Sequence, residues 1–363
     1  MLWIALWSCT DSKRPDTGTL ESTETVDWSA WSPKDRGPFN VGHIQILHTY
    51  RPLSDQPERT IPIEIWYPTL DTTGAPATYF MGIDESVFAD AAPADPVYEK
   101  GYPVHLSSHG YQGWGANSAF LMSHFASHGW VVVAPNHIDN TLVDHSSPLP
   151  ISHFIHRPKD LTESLNVLEA LEWEYPIHTG SVVLSGHSFG ASYSTWAGAG
   201  ATYDNVEAVC IDGEGLEDSS TSCSDSEYEA LSSNELDDPR VTVAIPMAGT
   251  DRKAFFGDTG YQNVHAPVLF ISGTEDGQDR NQGHFDDVTG IDFRWLSLTN
   301  ACHQSFTVGG CATMDTDLAW DILNHYVLAF ARQRLLGDNS IETTELLDGT
   351  TQPWTEASVL VRE

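Results

Sequence analysis

Short apolar runs alternate along the chain with longer stretches whose apolar residues recur at helical spacing. The runs predict strands at 41–50, 61–67, 103–107, 130–135, 181–185, 241–247, 267–272 and 293–298. The amphipathic or small-residue stretches predict helices at 117–128, 157–174, 190–200 and 318–336. Strands that alternate with helices predict a mostly parallel sheet covered on both faces, a doubly wound α/β fold. The first two strands have no helix between them, so we expect an antiparallel edge there.

The remaining segments are less regular. Residues 10–38 are rich in Thr, Ser, Asp, Glu and Pro, which predicts a disordered acidic linker. Residues 69–101 contain scattered Gly, Pro and Asp, which predicts a segment without regular secondary structure. Residues 206–211 could form a strand or belong to an insertion that spans about 203–239. We favour the insertion, because an acidic, Ser-rich stretch follows. One domain over 39–337 and a C-terminal extension over 338–363 complete the expected organisation.

The ends and the cysteines bear on location. Residues 1–9 resemble the end of a lipoprotein-type secretion signal, with Cys9 as a possible lipid anchor, although no basic residue precedes the apolar run. An even number of cysteines remains, which suits the short-range pairs Cys210–Cys223 and Cys302–Cys311, other pairings, or four thiols in a cytosolic protein. We expect an exported protein, either periplasmic, anchored in an outer membrane or extracellular. No run is long enough for an integral membrane span.

The charge balance is strongly acidic. The 363 residues contain 17 Lys and Arg against 51 Asp and Glu, a formal net charge of -34. A nucleic-acid partner requires a basic footprint, and so does docking onto an anionic membrane, so both are excluded. We therefore expect a monomer with a neutral or cationic partner. Repulsion among the acidic groups predicts a fold that salt stabilises.

The motif Gly186-His-Ser188-Phe-Gly190 carries the most specific chemistry. It lies between the predicted strand 181–185 and the small-residue helix 190–200. A G-x-S-x-G run in that context is typical of a nucleophile elbow, a tight turn that presents a serine hydroxyl at the top of a sheet. The glycines are needed because the turn strains the serine and leaves no room for neighbouring side chains. Ser188 is therefore the candidate nucleophile.

A serine nucleophile needs a base that follows it in the chain. His303 comes directly after the predicted strand 293–298 and near the C-terminus, which makes it the candidate base. His284 competes, but it is predicted in a loop too close to the acid. His325 also competes, but it falls inside the last predicted helix, where a core or surface role is expected.

The acid that orients the base is expected after a strand. Asp276 follows the strand 267–272 and is the candidate, with Glu275 beside it as the near alternative. Asp212 and Asp251 follow earlier apolar runs and stay as rivals, because some hydrolases carry the acid one strand earlier.

Acyl transfer also requires hydrogen-bond donors for the oxyanion that develops on the carbonyl. The backbone N–H of Phe189, which follows the nucleophile, is one candidate. The second is the backbone N–H of Tyr111 in the loop Ser107-Ser-His-Gly-Tyr-Gln-Gly113. Gly110, Gly113 and Gly115 permit an unusual path for this loop.

These motifs together resemble a known family. The runs Ile61-Pro-Ile-Glu-Ile-Trp-Tyr-Pro68, Ser108-His-Gly-Tyr111, Gly186-His-Ser-Phe-Gly190, Gly273-Thr-Glu-Asp276 and Cys302-His-Gln-Ser-Phe306 occur in the order seen in dienelactone-hydrolase-like esterases. The branch near platelet-activating-factor acetylhydrolases is the most similar, and bacterial cutinase-like polyester hydrolases share the layout.

The resemblance covers about residues 41–336 and implies an α/β-hydrolase fold. It also implies hydrolysis of small-molecule or polymeric carboxylic esters through an acyl-enzyme, with Ser188, Asp276 and His303 as the triad. The chain departs from the family at Ala191, where a third glycine is common. Dienelactone hydrolases proper use Cys where this chain has Ser188. A peptidase or amidase on the same fold, and a non-catalytic binding protein, are the alternatives.

Metal and cofactor signals are weak. His124 and His128 have a zinc-compatible i,i+4 spacing, but no general-base Glu lies between them and no third ligand follows. The run Asp279-Arg-Asn-Gln-Gly283 has only part of a calcium ligand set. No nucleotide-binding motif occurs, so we expect no cofactor.

Overall fold

The computed structural model describes residues 26–80, 82–147, 149–212, 222–250 and 252–362, with 211 and 212 described by their backbone alone. Cys9, Asp251 and the side chain of Asp212 therefore lie outside the described part. Within it the strands form one sheet of eleven members.

The strands are β1 (Asn40–Tyr50), β2 (Arg59–Thr69), β3 (Pro76–Tyr79), β4 (Gly82–Ala89), β5 (Tyr102–Ser108), β6 (Val131–Pro135), β7 (Ile177–His187), β8 (Val241–Met247), β9 (Val268–Gly273), β10 (Phe293–Leu298) and β11 (Ala357–Arg362). Their order across the sheet is β11-β10-β9-β8-β7-β5-β6-β2-β1-β4-β3. From β6 through β5 to β10 every neighbouring pair is parallel. β2 is antiparallel to β6, and β1 to β2. The mostly parallel sheet with an antiparallel N-terminal edge is thus confirmed.

The helices are α1 (Ala119–Ser127), α2 (His153–Glu169), α3 (Thr195–Gly198), α4 (Asp225–Ser232), α5 (Lys253–Phe256), α6 (Gln278–Asp287), α7 (Thr316–Ala331) and α8 (Ile341–Leu347). Single turns of 3-10 helix occur at Trp28–Ala30, Gly115–Ser118, Gly260–Asn263 and His303–Phe306. Wider π-helical turns occur at Gly190–Ser194, Ala208–Asp212 and Arg332–Leu336.

Two apolar layers enclose the sheet because side chains alternate between its faces along each buried strand. In β9, Val268 and Phe270 join one layer, whereas Leu269 and Ile271 join the other. Residues of α2, α3 and α6 pack in the first layer, and residues of α1, α7 and α8 pack in the second. The continuous apolar runs in the sequence therefore correspond to strands buried on both faces.

Several local expectations were wrong. Residues 69–101, expected to be irregular, contain β3 and β4, and these extend the sheet beyond β1. Part of the run 206–211, a possible strand, forms the π-helical turn Ala208–Asp212. His284, expected in a loop, is buried in α6. Residues 338–363 contribute α8 and β11, and β11 pairs antiparallel with β10. Backbone pairing, rather than local pattern, stabilises these edge strands.

The described part of the expected linker lies against the domain. His124 donates from Nε2 to the Pro33 carbonyl at 2.9 Å, and His128 donates to the Asp35 carbonyl at the same distance. The two imidazoles with zinc-compatible spacing thus hold backbone carbonyls of residues 26–38.

Both predicted disulfides form, which confirms the pairing Cys210–Cys223 and Cys302–Cys311. Two disulfides are consistent with an exported protein. No helix in the described ranges has the length and apolar character needed to traverse a bilayer.

Candidate active site

Ser188 occupies a sharp turn directly after β7. Its φ of 55° lies in the left-handed region, which a non-glycine residue rarely adopts. A Cβ on Gly186 would lie 2.3 Å from Thr195 Oγ1, and one on Gly190 would lie 2.1 Å from the Ser108 carbonyl oxygen. The close packing leaves room only for glycine at both positions, as the elbow motif requires.

Three predicted site residues come together at this turn. His303 Nε2 lies 2.8 Å from Ser188 Oγ, and His303 Nδ1 lies 2.9 Å from Asp276 Oδ2. Ser188 follows β7, Asp276 follows β9 and His303 follows β10, so the carboxyl ends of three parallel strands supply the cluster. The arrangement has the geometry of a nucleophile, a base and an orienting acid.

The alternative acid and base candidates that the structure describes lie away from the Ser188 hydroxyl. Glu275 is exposed, and its backbone N–H donates to the Ala301 carbonyl. His284 packs among aromatic rings, with its centroid 5.0 Å from that of Phe270. His325 is buried in α7, where burial lowers its pKa to about 4. None of these side chains contacts the Ser188 hydroxyl.

Two backbone amides are available beside the nucleophile. Within the described residues, neither the N–H of Tyr111 nor that of Phe189 has a hydrogen-bond partner. A Cβ on Gly110 would lie only 3.1 Å from Ser188 Cβ, so the oxyanion loop (residues 107–113) passes directly over the elbow. Unpartnered N–H groups at this place are suited to bind a developing oxyanion.

A cleft of about 220 Å³ opens over these groups. Its lining residues come from the oxyanion loop, the elbow, the segment before α1 and the segment after β10. They are Gly110, Tyr111, Gln112, Gly113, Trp114, Asn117, His187, Ser188, His303, Gln304, Thr307 and Gly309. Ser188 and His303 are therefore accessible to a small molecule.

Arg157 in α2, which the sequence reading did not single out, supports the oxyanion loop from inside. Its guanidinium donates to the His109 carbonyl, to Ser108 Oγ at 3.2 Å and to Asn140 Oδ1 at 3.1 Å. The same group lies over the Phe189 ring, 4.6 Å from its centroid. Arg157 thus contacts both segments that carry the free amides.

A buried carboxylate continues this network. Asp160 accepts from Tyr50 at 2.5 Å, from Arg59 at 3.1 Å and from His137 Nδ1 at 2.8 Å. The Nε2 of His137 in turn accepts from Ser108 Oγ at 3.0 Å. Burial raises the pKa of Asp160 and lowers that of His137. The i,i+3 spacing of Arg157 and Asp160 on an apolar helix face was the available sequence signal.

His187 fixes the segment that carries the base. Its Nε2–H donates to the His303 carbonyl at 2.9 Å, and burial lowers its pKa to about 3, so the ring is neutral at pH 7. Other enclosed imidazoles share this property. In what we call the buried histidine set, burial lowers the pKa to between about 2 and about 4: His105, His124, His128, His153, His156, His187 and His325.

No metal centre is found in the described part of the chain, where no three His, Cys, Asp or Glu side chains cluster suitably. The segment with partial calcium spacing forms much of α6 instead of a ligand loop.

The parallel sheet, the two helical layers and the strained serine turn define an α/β-hydrolase fold. A solved structure with this fold is the ferulic acid esterase from Streptomyces cinnamoneus, at a TM-score of 0.61 and 21% identity. The similarity covers 92% of this chain and 98% of the esterase chain. No model of a protein family matches the sequence, and no curated protein does.

Proposed function

We propose that the protein is a serine carboxylic-ester hydrolase. The observation that carries the proposal is the hydrogen-bonded chain from Ser188 Oγ through His303 to Asp276, set beside two unpartnered backbone amides. A neutral ester needs only these groups for acyl transfer, and the cleft gives it access. The similar solved structure is that of an esterase, and this similarity supports the same class of reaction.

The proposed mechanism has two halves. Ser188 Oγ attacks the ester carbonyl while His303 Nε2 takes its proton, and the amides of Tyr111 and Phe189 bind the tetrahedral oxyanion. His303 then gives the proton to the departing alcohol, which leaves an acyl-enzyme. In the second half His303 takes a proton from water as the water oxygen attacks the acyl carbonyl; the bond to Ser188 Oγ then breaks, Oγ takes the proton back from His303, and the carboxylic acid is released. Asp276 holds the imidazole in the required tautomer throughout.

The test is Ser188→Ala, assayed with p-nitrophenyl acetate and butyrate. Hydrolysis and labelling by a fluorophosphonate probe should both be lost while the circular dichroism spectrum stays unchanged. Ser181→Ala, seven residues earlier and inside β7, is the matched control and should retain both. Turnover that survives in Ser188→Ala would reject Ser188 as nucleophile. Faster hydrolysis of matched amides than of esters would favour a peptidase or amidase.

We propose that the preferred esters carry an apolar body, because an aromatic side chain lines the cleft and exposed apolar side chains lie in the segment before Ser146. Tyr111 lines the cleft at 38% exposure, and its hydroxyl donates to the Ser146 carbonyl. Leu142 and Val143 are exposed at 42% and 70% in the same loop, upstream of Ser146. Activity across a chain-length ester series, on methyl ferulate and on a polyester film would identify the preferred ester class. We further propose that the protein is exported, because two disulfides are typical of an oxidising compartment, and locating the protein after cell fractionation tests this.

A further inference from the structure

Asn117 occupies a fixed position in the cleft wall. It lines the cleft together with Ser188 and His303. Its backbone N–H donates to the Trp114 carbonyl at 2.9 Å, and its own carbonyl accepts from the Val308 N–H at 2.9 Å. Both the backbone N–H and the backbone carbonyl of Asn117 are thereby hydrogen-bonded, so its Cα has a fixed position in the cleft wall.

The carboxamide of Asn117 lacks a hydrogen-bond partner. The residue is only 9% exposed, yet no hydrogen bond within the described residues involves its side chain. Its polar atoms are not among those sealed completely inside the protein, and the residue lines the cleft. A carboxamide without a hydrogen-bond partner in the protein is available to a bound ligand that presents a matching polar group.

The rest of the wall limits the chemistry of that ligand. The described residues that line the cleft include no Asp, Glu, Lys or Arg, although the chain as a whole has a net charge of -34. An uncharged ligand is therefore favoured. A carboxamide both donates and accepts, and a hydroxyl group does the same, so the two are complementary. Trp114 lines the same cleft, and its ring offers an apolar surface to such a ligand.

We propose that Asn117 is a specificity-determining residue that hydrogen-bonds a hydroxyl group on an uncharged ester substrate. The protein then prefers esters that carry a hydroxyl beyond the scissile carboxyl group. The proposal rests on the ester-hydrolase function above and adds the substrate class.

The experiment compares matched esters with and without the hydroxyl. The pairs are p-nitrophenyl 3-hydroxybutyrate with p-nitrophenyl butyrate, methyl 4-hydroxycinnamate with methyl cinnamate, and glycerol monobutyrate with propyl butyrate. One neutral hydrogen bond should raise kcat/KM for the hydroxylated member of at least one pair by about 3- to 10-fold. In Asn117→Leu, which keeps the number and branching of the side-chain heavy atoms but removes the polar ones, that ratio should fall to about 1.

Two further variants keep the result interpretable. Asn117→Ala introduces no new bulk and should lose the same preference for the hydroxylated ester. It replaces the leucine variant in the experiment if Asn117→Leu does not fold. Asn339→Leu changes an exposed Asn that donates to the Gly337 carbonyl, and it should keep the wild-type ratio. A wild-type protein without preference in any pair, or an unchanged ratio in the folded Asn117 variants, would overturn the proposal. Failure of the wild type to hydrolyse any ester or to react with the fluorophosphonate would instead refute the ester-hydrolase function.

Discussion

Gly190→Ala tests whether crowding at the elbow sets the geometry of the oxyanion loop. A Cβ at this position would lie 2.1 Å from the Ser108 carbonyl oxygen, 2.8 Å from its carbon and 3.0 Å from the His109 carbonyl oxygen. All three atoms are backbone, so no rotamer change relieves the overlap. Restoring a separation near 3 Å moves the loop or the elbow by about 1 Å, a displacement that costs on the order of 10²-fold in rate.

The loss should fall on kcat and leave KM nearly unchanged, because the displaced amides act mainly on the transition state. Kinetics with p-nitrophenyl butyrate measure this effect. Overpacking should also lower the free energy of unfolding by about 1–3 kcal/mol, as measured in urea.

Gly283→Ala is the matched control for this variant. Gly283 lies inside α6, and a Cβ there meets no atom within 4 Å. The control should keep its kcat and gain up to about 1 kcal/mol of stability from helix propensity. Wild-type kcat in Gly190→Ala would refute the reasoning, whether or not its stability falls.

Four other predictions concern the base, the disulfide, pH and salt. Asp276→Asn should lower kcat by about 10⁴-fold because the tautomer of His303 is lost, whereas Asp251→Asn should leave kcat unchanged. Replacing Cys302 and Cys311 by Ser should cost about 2–3 kcal/mol of unfolding free energy and reduce kcat, because His303 lies within the loop that they close. The free energy of unfolding should fall as pH decreases below 6.5, because histidines of the unfolded chain bind protons there whereas the buried histidine set of the folded protein stays neutral. Each member contributes at most about 1.4 kcal/mol per pH unit. A free energy of unfolding in urea that does not change from pH 7.5 to 5.5 would contradict this. The Tm should rise with NaCl as acidic repulsion is screened, and a Tm independent of salt would argue against that effect.

Local pattern accounted for much of the fold. The buried strands β5, β6, β8, β9 and β10 were predicted within one residue of their observed bounds, because a strand covered on both faces has a continuous apolar sequence. β7 begins four residues before its predicted start. The edge strands β3, β4 and β11 were missed. Their residues are partly exposed and mixed in character, and they become strands by pairing with a neighbour that the sequence does not identify.

The sequence by itself predicted the elbow, the chain order of Ser188, Asp276 and His303, and the fold class, since the elbow depends on turn sterics and the fold class on short-range periodicity. Only the tertiary structure decided which acid reaches His303. Asp276 and Glu275 are adjacent in the chain, but only one of them faces the imidazole across the sheet edge. It also decided that Arg157 supports the oxyanion loop and that Asn117 lines the cleft. Those contacts join segments far apart in the chain, and no local pattern encodes which distant backbone a side chain meets.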